Sequence, residues 1–119
     1  MREPLFIRVV RNCDTTTETA IRSGQVPPGE IWELDFVTVF NGSAENFLIK
    51  IQVLNRSQAI TYSYTATLAT LQAALPAVNP MLAEGEILQV LATGSAAGGD
   101  ITLLATGWRN RLAASPPGG

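Results

Sequence analysis

Apolar and polar residues alternate in short runs along most of this chain, and turn-forming residues separate the runs. Every second residue of the segment 47–53 is apolar, from Phe47 to Val53, and Lys50 and Gln52 lie on the other side. In the segment 31–40, Trp32, Leu34 and Phe36 alternate with acidic residues. A repeat of two residues matches the alternation of side chains across a β-strand. We therefore predict a strand in each segment, with the apolar side in the core.

Further segments alternate in the same way or are rich in β-branched residues, which favour strands. They are residues 5–10, 15–21, 60–65, 86–93 and 100–108. Small residues at 94–99 predict a loop between the last two, and Asn41-Gly42 predicts a turn. Seven or eight short antiparallel strands at this spacing predict one all-β domain, either a β-sandwich or a jelly roll.

Residues 67–75 interrupt this alternation. Leu68, Leu71 and Leu75 lie among alanines at the spacing of one side of a helix, just before Pro76. A short helix and a continued strand followed by an irregular connection both remain open for this segment.

Two short segments, 28–34 and 84–90, resemble each other. Both place Gly-Glu-Ile at the start of an alternating strand. Glycine adopts backbone conformations that are closed to most residues, so Gly29 and Gly85 predict two turns of one kind. Chance similarity and a fold of two similar halves both remain open explanations.

The length of 119 residues fits a single domain. We predict an N-terminal arm or edge strand at 1–11, the sandwich at 12–112, and a flexible tail at 113–119, which ends in Ser-Pro-Pro-Gly-Gly. No apolar run approaches the roughly 20 residues of a membrane span, and the start lacks the apolar run of a signal peptide. We therefore expect a protein made in a cytoplasm, without a membrane partner.

Charge is sparse in this chain. Charged residues make up 15% of the sequence, against about 25% in ordinary soluble domains. A surface with so few charges favours burial against other subunits, so we expect a homo-oligomer or an assembly contact. The net charge of −2 argues against nucleic-acid binding, which needs a basic surface to neutralise phosphates.

Catalytic residue sets are missing from the sequence. It contains no histidine, the usual general base and the commonest metal ligand. Its single cysteine, Cys13, has no partner for a disulfide within the chain and no histidine to activate it. Glu33 and Asp35 fall on the outward side of a predicted strand, where acidic residues are ordinary. We predict no enzymatic activity, no metal and no cofactor.

The aromatic residues allow two interpretations. Trp32 is predicted in the core. Trp108 and the pair Tyr62 and Tyr64 fit either the core or an exposed site for stacking on a sugar or a protein.

Three strand entries carry a resemblance to a known family. They are Val26-Pro27-Pro28-Gly29-Glu30-Ile31-Trp32, Glu84-Gly85-Glu86-Ile87-Leu88 and Gly99-Asp100-Ile101-Thr102-Leu103. In the form of these strand entries, over residues 20–108, the chain resembles the capsid decoration (cement) proteins of tailed bacteriophages. These are jelly-roll or β-sandwich proteins of the virion.

The resemblance implies a structural protein at the capsid surface. It would be made in the host cytoplasm, form a homotrimer, and stabilise the shell by bridging major capsid protein subunits. Partner contacts would come from the N-terminal segment and the end of the last strand, namely Arg2, Leu5, Ile7, Arg8, Arg11, Trp108 and Arg109. Two alternatives stay open: another virion module (head spike, tail or receptor-binding protein) and a carbohydrate-binding β-sandwich.

Overall fold

The computed structural model describes residues 2–13, 18–42, 46–69, 73–74, 81–94 and 99–111. This described part of the chain contains β-strands and no helix. The strands are β1 (Arg2–Asn12), β2 (Thr19–Gln25), β3 (Glu30–Asn41), β4 (Phe47–Leu54), β5 (Ile60–Leu68), β6 (Ala73–Ala74), β7 (Met81–Leu82), β8 (Ile87–Thr93) and β9 (Asp100–Arg111).

The strands form two antiparallel sheets. The first has the order β1-β9-β3, and the short strands β6 and β7 both pair with the far side of β3. The second has the order β2-β8-β4-β5. Apart from the β4–β5 hairpin and the short pair β6 and β7, consecutive strands lie in opposite sheets. This is the strand order of a jelly roll, and it confirms the predicted all-β sandwich.

The inner sides of the two sheets form the core. In β4 the predicted alternation is confirmed, because Phe47, Ile49, Ile51 and Val53 are all buried. Trp32 is also buried, as predicted. The polar side of β4 is less exposed than its sequence indicates.

Gln52 on that side of β4 is buried, and its Oε1 accepts a hydrogen bond from Nε2 of Gln89 at 3.1 Å. The Gln89 Oε1 in turn accepts one from Nε of Arg22 at 2.8 Å. These three residues face one another across β2, β8 and β4. Their row satisfies the buried amides.

Phe36 lies on the outer side of its sheet, so its predicted place in the core is wrong. The pairing of β3 with β9 shifts between Leu34 and Phe36, which makes Asp35 the extra residue of a β-bulge. A shift of one residue exchanges the two sides of a strand. Leu34 before the bulge and Val37 after it both enter the core, whereas Phe36 is 40% exposed.

The N-terminal segment is an edge strand of the first sheet. β1 pairs with β9 along its whole length, from Arg2 to Asn12, so the sandwich includes residues 2–11. Leu5 and Ile7 of this strand are buried in the core. The predicted tail at 113–119 lies outside the described residues.

Of the two alternatives left open for 67–75, the described part of that segment shows the continued strand and no helix. β5 continues through Leu68, and Ala73–Ala74 form β6. Residues 70–72 and 75 lie outside the described residues. The carbonyl oxygens of Leu68 and Ala69 accept hydrogen bonds from Nδ2 of Asn41 at 3.0 and 3.2 Å, which ties the end of β5 to β3 in the opposite sheet.

The two predicted glycine turns have the same geometry. Gly29 and Gly85 have φ angles of 78° and 83°, in the left-handed region that glycine adopts without strain. In each turn the following glutamate donates its backbone N–H to the carbonyl three residues back, at 3.3 Å for Glu30 and 3.0 Å for Glu86.

These two turns also lie side by side at one end of the sandwich. The backbone N–H of Gly85 donates to the carbonyl of Val26 at 3.0 Å, and the N–H of Val26 donates to the carbonyl of Glu86 at 2.9 Å. The repeated sequence therefore builds adjacent entries into β3 and β8.

Candidate interaction surface

The outer side of the β1-β9-β3 sheet carries exposed apolar side chains. Five of the seven large apolar side chains that the described residues expose lie on this one surface. They are Phe6, Val10, Phe36, Phe40 and Met81, and we call them the outer apolar face.

Strand register places these side chains in rows. Phe6 of β1 and Phe36 of β3 both lie opposite Thr106 of β9. Val10 and Phe40 both lie opposite Thr102 of β9, about 13 Å further along the strand at 3.3 Å per residue. Phe6 and Val10 thus form a row along β1, and Phe36 and Phe40 form a row along β3. The two rows lie on either side of β9, the central strand.

Two side chains of the outer apolar face are largely exposed to solvent. Phe6 is 66% exposed and Met81 is 64% exposed. Single exposed apolar residues are ordinary on protein surfaces. A cluster of them marks an interaction site, and Phe and Met are enriched where proteins contact each other. The outer apolar face therefore has the composition of a protein interface.

Trp108 and Arg2 lie together at one end of the same side. The Arg2 guanidinium stacks over the Trp108 ring, 4.4 Å from its centre, and pairs with Glu33 at 3.6 Å. Trp108 is thus half-buried beneath an arginine. These two predicted contact residues adjoin the outer apolar face and are already in contact with each other.

Arg8 and Arg11 of β1 are exposed. Arg8 projects from the outer side between Phe6 and Val10, since alternate residues of a strand share a side. Within the described part of the chain, the ion pairs include neither arginine. Arg8 is therefore open to a partner within the outer apolar face, whereas Arg11 belongs to the opposite side of the strand and is exposed at its end.

Arg109 is half-buried on the inner side of its sheet, beside two glutamates. Its guanidinium approaches Glu30 at 3.2 Å and Glu3 at 4.0 Å. The Nε–H of Arg109 is not aligned on the Glu30 oxygen, so this contact is an ion pair rather than a hydrogen bond. The same Glu30 oxygen accepts a hydrogen bond from Nε1 of Trp32 at 3.2 Å. Arg109 closes one end of the core and lies apart from the outer apolar face.

The residues predicted to contact a partner therefore fall into exposed and buried groups in the structure. Arg2, Arg8 and Trp108 lie on the outer side of the first sheet, and Arg11 is exposed at the end of β1. Leu5 and Ile7 belong to the core, so they are not available to a partner.

The side chains that form the outer apolar face were missed from the sequence. A signal was present, because residues 5–10 and 36–40 are apolar on both sides of the strand. Such runs are typical of strands that are covered on both sides. The fold covers only their inner side.

The other aromatic residues do not extend this surface. Tyr62 and Tyr64 are half-buried and pack against the core. This places the tyrosine pair on the core side of the two interpretations that the sequence allowed.

A separate shallow pocket of about 280 Å³ lies beside the two glycine turns. Arg56 and Glu84 line it and pair with each other at 2.5 Å, so each charge is already neutralised. In the part of the chain that the structure describes, no group of three or more His, Cys, Asp or Glu side chains could hold a metal ion. No described helix is long and apolar enough to cross a membrane.

Comparison of the sequence with protein-family models and with curated proteins finds no match. The description of the molecule therefore depends on its fold and its surface alone. The described part of the chain is a jelly-roll sandwich with an exposed apolar surface on the β1-β9-β3 sheet.

Proposed function

We propose that this protein is a structural component of a bacteriophage particle, without enzymatic activity. It binds the outer surface of the capsid and stabilises the shell by bridging major capsid protein subunits. The outer apolar face carries this proposal, because a partner surface must cover it. The resemblance of the strand entries to decoration proteins supplies the class of partner.

The shape of the site supports attachment to a broad surface. The apolar side chains stand on a sheet rather than in a cleft, and their two rows extend along β1 and β3. A small ligand is usually enclosed by a concave pocket. A sheet surface instead matches the wide, fairly flat contacts between proteins.

The charge within the outer apolar face supports an acidic partner. Arg8 lies between Phe6 and Val10 and is exposed. Complementary charges accelerate association and fix the orientation of the partners. We therefore expect that salt weakens binding by slowing association, while the apolar contact persists.

The test is co-sedimentation with empty capsids of the phage that encodes the chain, using Phe6→Glu. Phe6 exposes 66% of its surface, or about 130 Å² for an aromatic residue. Burial of that area contributes about 3 kcal/mol at 25 cal/mol/Å², and an unpaired carboxylate in the contact adds a further cost, so the variant should bind at least about 100-fold more weakly. Its thermal unfolding should stay near that of the wild type, because the side chain lies outside the core.

The matched control is Leu48→Glu. Leu48 is 39% exposed on the outer side of the other sheet, so this variant should bind capsids like the wild type. Equal binding by the Phe6 variant would contradict the role of the outer apolar face. Wild-type protein that ignores capsids but binds host cells or a glycan array would overturn the capsid proposal in favour of a receptor-binding or carbohydrate-binding module.

A further inference from the structure

We propose that β5 is the site at which two copies of this chain pair, edge to edge and antiparallel. The β2-β8-β4-β5 sheets of the two copies then join into one continuous sheet. The inference goes beyond the proposed function and rests on a different surface.

The sheet edges differ in how they are protected. Unpaired edges are normally guarded by charges, prolines, bulges or short length, since an open edge is a template for another strand. β1 carries Pro4 and several charged residues. β2 carries Arg22 and a break in register, with Gly24 at a φ of 89°. β6 and β7 have two residues each.

β5 has almost none of these protections. Its nine residues, Ile60–Leu68, include no charged residue, no proline and no glycine. Tyrosine and threonine dominate the strand, and both favour β-structure. On one side β5 pairs with β4, and no described strand pairs with its other side.

Two features limit the open part of this edge. The register with β4 shifts so that Thr61 is an extra, bulged residue near the start of β5. At the other end, Asn41 occupies the carbonyl of Leu68. The regular open segment is therefore Ser63–Thr67, about 17 Å of extended chain.

This segment is complementary to itself. Antiparallel pairing about a two-fold axis at Thr65 places Ser63 opposite Thr67 of the second copy, and Tyr64 opposite Ala66. Hydroxyl pairs across strands are favourable, and like charges directly opposite each other are unfavourable. No charge occurs in the segment, and its hydroxyl side chains are exposed on the outer side of the sheet. A second copy of the chain therefore fits the edge without repulsion.

The experiment uses two charge variants, Ser63→Lys with Thr67→Lys, and Ser63→Glu with Thr67→Glu. Each variant places like charges opposite each other twice in the dimer. Sedimentation velocity over a concentration series should show a wild-type dimer and a dissociation constant raised about tenfold in each variant. Mixing the lysine and glutamate variants should restore a dimer, because opposite charges then face each other.

The matched control is Ser57→Lys with Ala59→Lys, which adds the same charge at exposed positions of the β4–β5 turn. This control should dimerise like the wild type. Amide hydrogen exchange should slow at residues 63–67 of the wild type as its concentration rises. A wild type that stays monomeric, variants that still dimerise, or a trimer whose β5 amides exchange freely would each overturn the inference.

The outcomes for β5 and for the proposed function are separable. Loss of pairing through β5 leaves the outer apolar face of each copy unchanged, so the charge variants still test capsid binding as monomers. The resemblance to decoration proteins implies a trimer, whereas pairing through β5 gives a dimer. Native mass decides between these two states without reference to any capsid.

Discussion

Replacing Gly107 with alanine should destabilise the sandwich at the place that shapes the outer apolar face. Gly107 lies in β9 opposite Leu34, next to the bulge at Asp35. A Cβ atom at this position would overlap the carbonyl oxygen of Glu33 and come within 2.8 Å of the Leu34 Cα. These are backbone atoms, so no rotation of a side chain can relieve the overlap. The strands β3 and β9 would have to move apart.

The size of the effect follows from this geometry. Overpacking a core costs about 1–3 kcal/mol, and we expect about 3 kcal/mol because the obstacle is backbone. For 119 residues, an unfolding entropy of about 2.1 cal/mol/K per residue gives roughly 0.25 kcal/mol/K. The melting temperature should therefore fall by about 12 °C. Phe36 should also change its exposure, because the bulge beside Gly107 turns it outward.

Urea and thermal unfolding, followed by circular dichroism, measure this loss. The control is Gly24→Ala, the same chemical change at a position where a Cβ meets no atom within 4 Å. Gly24 has a φ of 89°, so its replacement should cost about 1 kcal/mol through backbone strain alone. If Gly107→Ala destabilises no more than this control, the close approach of β3 to β9 is refuted.

Two further substitutions test how the strand ends are joined. Asn41→Ala should lower the free energy of unfolding by about 2 kcal/mol, because the carbonyls of Leu68 and Ala69 lose their donor; a loss below about 0.5 kcal/mol in urea unfolding would contradict that tie. Gly85→Ala should cost about 2 kcal/mol, since its Cβ would lie 2.5 Å from Cγ of Arg56 and its φ is 83°. In an Arg56→Ser background the same change should cost only about 1 kcal/mol of strain; equal costs in the two backgrounds would exclude the steric contact.

Most of the strands were predictable because a half-buried strand imposes a repeat of two on its sequence. β4 is the clearest case, with four buried apolar residues at alternate positions. The predicted segments 31–40 and 100–108 also match β3 and β9 to within a few residues. The short strands β6 and β7 were missed, because two residues are too few to display a repeat.

The place of Phe36 could not be predicted from alternation. The bulge at Asp35 depends on how β3 packs against β9, a strand about 70 residues away in the chain. Thr106 of β9 donates a hydrogen bond from its Oγ1 to the Asp35 carboxylate at 2.8 Å, and Gly107 leaves room for the adjoining backbone. A local pattern contains none of these long-range contacts.

The candidate surface was only partly predictable, for a related reason. Apolar residues on both sides of β1 indicate burial on both sides, but the sequence does not show which side the second sheet covers. That depends on which strands share a sheet. The arginines of β1 and the residues Leu5 and Ile7 were all assigned to a partner contact, but only the arginines are exposed, and Leu5 and Ile7 fill the core.

The two proposed contacts have one geometric consequence in common. Two identical antiparallel strands in one sheet are related by a two-fold axis perpendicular to that sheet. Rotation about this axis does not turn the sheet over, so after pairing through β5 the same side of the sheet faces the same direction in both copies. The β1-β9-β3 sheets of the two copies then lie on the same side of the joined sheet, and both outer apolar faces point in one direction. A dimer of this form would present two attachment surfaces to a single shell. Two linked weak contacts hold far more tightly than one, provided both can engage at once. Pairing through an unguarded edge would thus convert a modest apolar surface into a firm attachment, with no further contact required.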